Sequence, residues 1–136
     1  MTRFLLMVAV ASVAAVALAA PISADAPTAI PISITFDDVD PCTGEIHTVS
    51  FDGVAYRHEH DGRVVAHSDL VITTTSGYVG HGVEEEIVNG QMFQIVARHM
   101  LVNPNGNRVQ ARVLLQVDLT TGEVRRDYAD LRCVTA

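Results

Sequence analysis

Phe93-Gln94-Ile95-Val96-Ala97-Arg98-His99-Met100-Leu101-Val102-Asn103-Pro104-Asn105-Gly106-Asn107-Arg108-Val109-Gln110-Ala111-Arg112-Val113-Leu114-Leu115-Gln116-Val117-Asp118-Leu119 is the stretch that decides the fold. From Arg108 onward Val109, Ala111, Val113, Leu115, Val117 and Leu119 alternate with Arg108, Gln110, Arg112, Gln116 and Asp118, with Leu114 the exception. A period of two over this length means a half-buried strand. Asn103-Pro104-Asn105-Gly106 suits a type I turn followed by glycine in a left-handed bulge. That loop pairs Asn103 with Asn107, which sets Leu101 beside Val109, His99 beside Ala111, Ala97 beside Val113, Ile95 beside Leu115 and Phe93 beside Val117. The inner face is then apolar except for His99. A slip of one residue would put Arg98 and Gln94 into that row, which burial disfavours.

The same reading extends outward in both directions. Strands are expected over 32–36, 46–60, 64–75, 83–88, 91–102, 108–119 and 123–134. Turns are expected at Asp61-Gly62, Asn89-Gly90 and Thr121-Gly122. The glycine-rich 76–82 segment reads as a loop, Asp52-Gly53 as a possible kink, and Ala20 to Pro31 as a flexible lead. About seven strands in hairpin connection give an all-β domain, an antiparallel up-and-down β-barrel-like fold, with a small β-sandwich as the alternative. Tryptophan is absent, so the Gly-x-Trp signature of lipocalins is missing.

The first residues read as an export signal. Thr2-Arg3 gives a weakly basic start, and Phe4 to Ala20 is a run of apolar and small residues too short for a comfortable membrane span. Small residues suit cleavage before Ala20 or before Asp25. The expected division is a signal peptide over 1–24 and a single secreted β-domain over 25–136, extracellular and without a membrane anchor. The two cysteines, Cys42 after the first strand and Cys133 in the last, are expected to pair in an oxidising compartment. Closing so long a loop stabilises a small domain by about 4–5 kcal/mol.

The net charge is −7, every basic side chain is arginine, and no basic run occurs. Nucleic acid and anionic membranes are therefore not expected partners. The expected partner is a small molecule or another protein, and no cofactor is implied.

Two places could carry chemistry. If His60 pairs with Arg63 across Asp61-Gly62, then Tyr56, His58, His60, His67 and Asp69 share one face of a two-stranded ribbon. Imidazoles and a carboxylate within such reach suit a ligand patch, proton transfer near neutral pH or a metal ion. The plain alternative is a solvated strand face. His67-Ser68-Asp69 is not a triad, because Ser68 points away from its neighbours. The second place is His99, either a core histidine with a hydrogen-bond partner or a polar anchor in a cavity. Tyr56, His58, His67, Asp69 and His99 are thus the candidate ligand-binding residues. Glu84-Glu85-Glu86 reads by default as an acidic surface segment with at least one carboxylate able to turn inward. Asp37, Asp38, Asp40 and Glu45 gather at the first turn without an EF-hand spacing.

Pro41-Cys42-Thr43-Gly44-Glu45, His58 and His67 flanking Asp61-Gly62, the glycines at 77 and 80, Gly122-Glu123-Val124 and Cys133 together resemble a family of small secreted actinobacterial proteins of uncharacterised function. The resemblance implies a secreted β-domain with a disulfide, and no activity. Three roles follow as expectations: a binding or interaction module; a small barrel enzyme of isomerase or cyclase type using the His/Tyr/Asp face, which requires that face to line a cavity; and a structural cell-envelope protein. The last would show an outer apolar patch around Met92, Val96, Met100, Val102 and Leu114.

Overall fold

The structure is a computed structural model that describes residues 26–136. The signal peptide expected over 1–24 lies outside the described residues. Seven strands, β1 (Thr28–Val39), β2 (Ile46–His60), β3 (Arg63–Thr74), β4 (Val79–Asn89), β5 (Met92–Val102), β6 (Arg108–Asp118) and β7 (Val124–Val134), form one antiparallel sheet in sequence order. Each strand follows the last by a hairpin, so the topology is up-and-down. No helix occurs among the described residues, and none there is long and apolar enough to cross a membrane.

The Asn103-Pro104-Asn105-Gly106 turn forms as its residues dictate. Asn103 N–H donates to Asn107 O at 3.0 Å, the Asn103 side chain accepts from the N–H groups of Asn105 and Asn107, and Gly106 sits at φ +83°. The register that follows pairs Leu101 with Val109, His99 with Ala111 and Phe93 with Val117. The alternation on β6 breaks at its end, where a register shift falls between Gln116 and Val117. Asp118 is buried there and Leu119 exposed, the reverse of the strict period. The Asp61-Gly62 turn has positive φ at both residues and pairs His60 with Arg63.

Two elements are longer than the sequence predicts. β1 begins at Thr28, so Thr28–Pro31 pair with β2 instead of forming a lead. Pro31 is tolerated because β1 is an edge strand. β4 begins at Val79, which places Gly80 and Gly82 within the sheet and confines the loop to the residues around Ser76 and Gly77. At Gly80 a Cβ would lie 1.9 Å from Met100 O, so only glycine allows β4 and β5 to approach so closely.

The sheet curls on itself. The rings of Phe51 on β2 and His99 on β5 meet edge to face at 5.0 Å although two strands separate them. Phe36 of β1 and Leu131 of β7 pack against the same core cluster, which includes Phe51, Leu70, Ile72 and Leu101. β1 and β7 are nevertheless the two edges and share no ladder of hydrogen bonds. The Cys42–Cys133 disulfide ties them together, joining the turn after β1 to β7 across a separation of 91 residues. The expected pairing is therefore present, and the two edges of the open sheet are fastened at this seam by a covalent bond.

Candidate functional site

The β2–β3 ribbon has the predicted register: Tyr56 pairs with His67, His58 with Val65 and Val54 with Asp69. Tyr56, His58, His60, His67 and Asp69 do share one face, and that face is the outer one. All five are exposed, while Ala55, Arg57, Ala66, Ser68 and Leu70 face the interior. His67 Nε2 stands 3.5 Å from Asp69 Oδ1 in open solvent. Among the described residues the row faces outward, whereas the barrel-enzyme reading requires it to line a cavity. No group of three or more His, Cys, Asp or Glu side chains among the described residues is placed to hold a metal ion. On the outer face of the β5–β6 hairpin, Met100 and Val102 are exposed, whereas Met92, Val96 and Leu114 are half-buried.

Of the five candidate residues only His99 is inside, and it is not alone there. The inward positions of β4 are Gly80, Gly82, Glu84 and Glu86, so this strand offers the core two bare positions and two carboxylates. Glu85 points outward. His99 Nε2 donates to Glu84 Oε1 at 3.1 Å, with the two side chains only 4% and 0% exposed. Gly82 makes room for this imidazole: a Cβ there would lie 2.5 Å from His99 Cδ2 and 2.9 Å from Ile72 Cδ1. Ser68, fully buried, stands opposite Glu84 in the β3–β4 ladder, and Arg57 is buried on β2.

The buried apolar side chains form two clusters. One is built around Ile30, Phe51, Leu70, Ile72 and Leu101, the other around Phe93, Ile95, Val113 and Ala129. Burial, and secondly the charge of Glu84, push the Glu86 carboxyl up to about 8, so it holds its proton at neutral pH. Glu84 Oε2, both Glu86 oxygens and Ser68 Oγ have no hydrogen-bond partner among the described residues. Each such buried group costs about 1–3 kcal/mol when left unpaired, so a set of this kind calls for an explanation.

His99 also lines a pocket at the seam. Phe36 and Val39 from the β1 edge and Leu131 from the β7 edge line it, with Phe51, Ile72 and Leu101 deeper in. The cavity measures about 30 Å³, room for two or so water-sized groups at ~10–15 Å³ each. Asp38 and His47, cross-strand partners on β1 and β2, also line the pocket. Burial raises the Asp38 carboxyl above its ordinary range, and His47 Nδ1 bonds Ser76 Oγ at 2.6 Å. Asp40 is occupied by the turn, accepting from Cys42 N–H at 2.8 Å and from the Tyr78 hydroxyl at 3.3 Å. Burial, followed by the nearby Asp40 charge, raises the Tyr78 phenol.

No family model, curated protein or solved structure matches this chain. The site therefore has to be read from its own chemistry. Sequence reasoning singles out His99 and reads Glu84-Glu85-Glu86 by default as surface, with at least one carboxylate able to turn inward. The signal that locates Glu84 and Glu86 is the pairing of β4 with β5: Glu84 lies opposite Ala97 and Glu86 opposite Ile95, both in the inner row fixed by the Asn103–Gly106 turn.

Proposed function

We propose that the protein is a secreted binding module that admits a small ligand at the seam between β1 and β7 and holds its polar end beside His99. The observation that carries this reading is the set of buried oxygens on Ser68, Glu84 and Glu86 without partners among the described residues. A fold built for stability alone gains nothing by burying two carboxylates, since apolar replacements of buried ionic groups are often neutral or stabilising. A ligand that brings donors to these oxygens offsets their desolvation. The apolar wall formed by Phe36, Val39, Phe51, Ile72, Leu101 and Leu131 suits the ligand's body.

Size limits the ligand. A cavity of about 30 Å³ takes a few heavy atoms, and at a ceiling of about 1.5 kcal/mol per atom the affinity is roughly millimolar. A larger body requires the two edges to part. They share no strand ladder, and the disulfide holds them at Cys42 and Cys133. Export is supported by the apolar run from Phe4 to Ala20, by the disulfide, and by the resemblance to small secreted actinobacterial proteins.

The test is native mass spectrometry of the protein recovered from its host's medium, beside a His99→Phe variant. The expected result is a chain beginning at Asp25, two hydrogens lighter than the reduced form, carrying a small adduct that the variant lacks. A bare chain in both samples would overturn the reading and favour a role in protein contact through the outer face.

A further inference from the structure

We infer that the polar end of the ligand is a primary ammonium group, seated among Ser68 Oγ, Glu84 Oε2 and the carboxylate of Glu86. This rests on the interior being a binding site, and it names the ligand's chemical class. Ser68 stands directly opposite Glu84 in the β3–β4 ladder, and Glu86 lies two residues along β4 on the same face. The direct and diagonal neighbours of such a pairing are about 5 and 7–8 Å apart, so the three side chains are neighbours on the inner face of the sheet. Glu84 Oε1 is already taken by His99 at 3.1 Å, which leaves Oε2. The unpartnered oxygens lie on three side chains, a hydroxyl and two carboxyls that accept once ionised, and an alkylammonium presents three N–H donors on one nitrogen. An anionic ligand would meet two carboxyl groups. A neutral alcohol has one donor and leaves most of the set unpaired.

The surroundings are consistent with a single cation. Arg57 on β2 and His99 on β5 are the basic groups facing this interior, while Asp38 and His47 stand in the pocket at the seam. β1 contributes Ile30 and Ile32, β6 contributes Ala111 and Val113, and β7 contributes Ala129 and Leu131. The body of the amine lies along the apolar wall beside His99.

Binding carries a proton balance. The neutral Glu86 carboxyl gives up its proton to solvent as the ammonium arrives, and the nitrogen keeps all of its own protons. With Glu86 titrating at about 8, affinity rises with pH up to that point. It falls again above about 10, where an alkylammonium is itself deprotonated.

The experiment is a titration of the ¹⁵N-labelled secreted protein with propylamine hydrochloride and, separately, with propan-1-ol, followed by amide chemical shifts. Propylamine is expected to shift the amides of Ser68, Glu84 and Glu86 saturably and to bind at least tenfold more tightly than propan-1-ol. Its affinity should rise by up to tenfold per pH unit between pH 6 and 8, and Glu86→Gln should remove that dependence. Ser68→Ala, which keeps the carboxyls, should weaken propylamine several-fold and serves as the check if Glu86→Gln folds poorly. Equal affinity for propan-1-ol would overturn the ammonium assignment and leave the pocket reading standing. No interior shift with either compound would overturn both. Propylamine binding that ignores pH and both variants would place its nitrogen elsewhere and overturn the seat proposed here.

Discussion

His99 on β5 reaches across to Glu84 on β4 at 3.1 Å, inside the curled sheet and out of contact with water. Removing one member leaves the other buried without its partner, which typically costs about 3–5 kcal/mol, whereas removing both costs much less. His99→Leu and Glu84→Gln should therefore each lower the urea midpoint sharply. The double variant should recover part of the loss, giving a coupling energy well above the few tenths expected of unconnected sites.

Glu86 makes stability depend on pH in an unusual direction. Its carboxyl titrates at about 8 in the folded chain against an ordinary value of 4.5. Between those values the folded state holds a proton that the unfolded state has released, so raising the pH favours unfolding. Stability from this group is complete below pH 4.5 and is lost as pH rises through 8, at up to about 1.4 kcal/mol per unit. Asp38, raised by burial, acts in the same sense. Asp118 acts oppositely but at lower pH, because the N–H groups of Thr120 and Thr121 hold it below its ordinary 3.8. Denaturation midpoints measured from pH 5 to 9 should decline toward 8 and then level. Glu86→Gln should flatten the curve and be the more stable protein at pH 8.

Gly82 is glycine because the imidazole of His99 lies where its side chain would be. Gly82→Ala puts a methyl 2.5 Å from His99 Cδ2. The ring has to turn, and its bond to Glu84 goes with it. A loss of about 1–3 kcal/mol is expected from overpacking, visible as a lower melting temperature together with a changed His99 ring resonance.

The edges of the sheet are joined covalently by Cys42–Cys133 across a separation of 91 residues. Replacing both cysteines by serine should cost several kcal/mol, up to about 4–5 in the chain-entropy description. Because the seam pocket lies beside this bridge, the same variant should also admit larger apolar probes, read as increased binding of a hydrophobic dye in the folded protein.

How much of this was legible in the sequence depended on the turns. Asn103-Pro104-Asn105-Gly106 and Asp61-Gly62 each permit one loop geometry, and from them the register of β5–β6 and of β2–β3 follows residue by residue. The glycines at 80 and 82 misled, because glycine marks a loop and a close strand approach equally well. Here the approach to Met100 and His99 was the cause. The histidine row around His58 and His67 was grouped correctly. A pairing register says which residues share a face, and only the packing of the whole sheet says which face is inside. The alternation of Glu84-Glu85-Glu86 lets a carboxylate turn inward, but the default reading is surface for a physical reason: desolvating two nearby carboxyls is unfavourable. The pairing of Glu84 with Ala97 outweighs that expectation.

The outer row makes a complementary prediction. Tyr56, His58, His67 and Asp69 are exposed and stand on the far side of β2–β3 from the carboxyls. Replacing all four by alanine should alter stability by little, about 0.5 kcal/mol per site or less. It should leave propylamine titrations unchanged, with calorimetry and amide shifts as the readouts.

The most direct measurement is a high-resolution crystal structure of the protein purified from its host's medium. It would be read at Ser68 Oγ, Glu84 Oε2 and the Glu86 carboxyl. The account predicts a bound molecule with a nitrogen within hydrogen-bond distance of these oxygens and an apolar body beside His99. Ordered water alone at all of them, at a resolution that separates water from an amine, would contradict it.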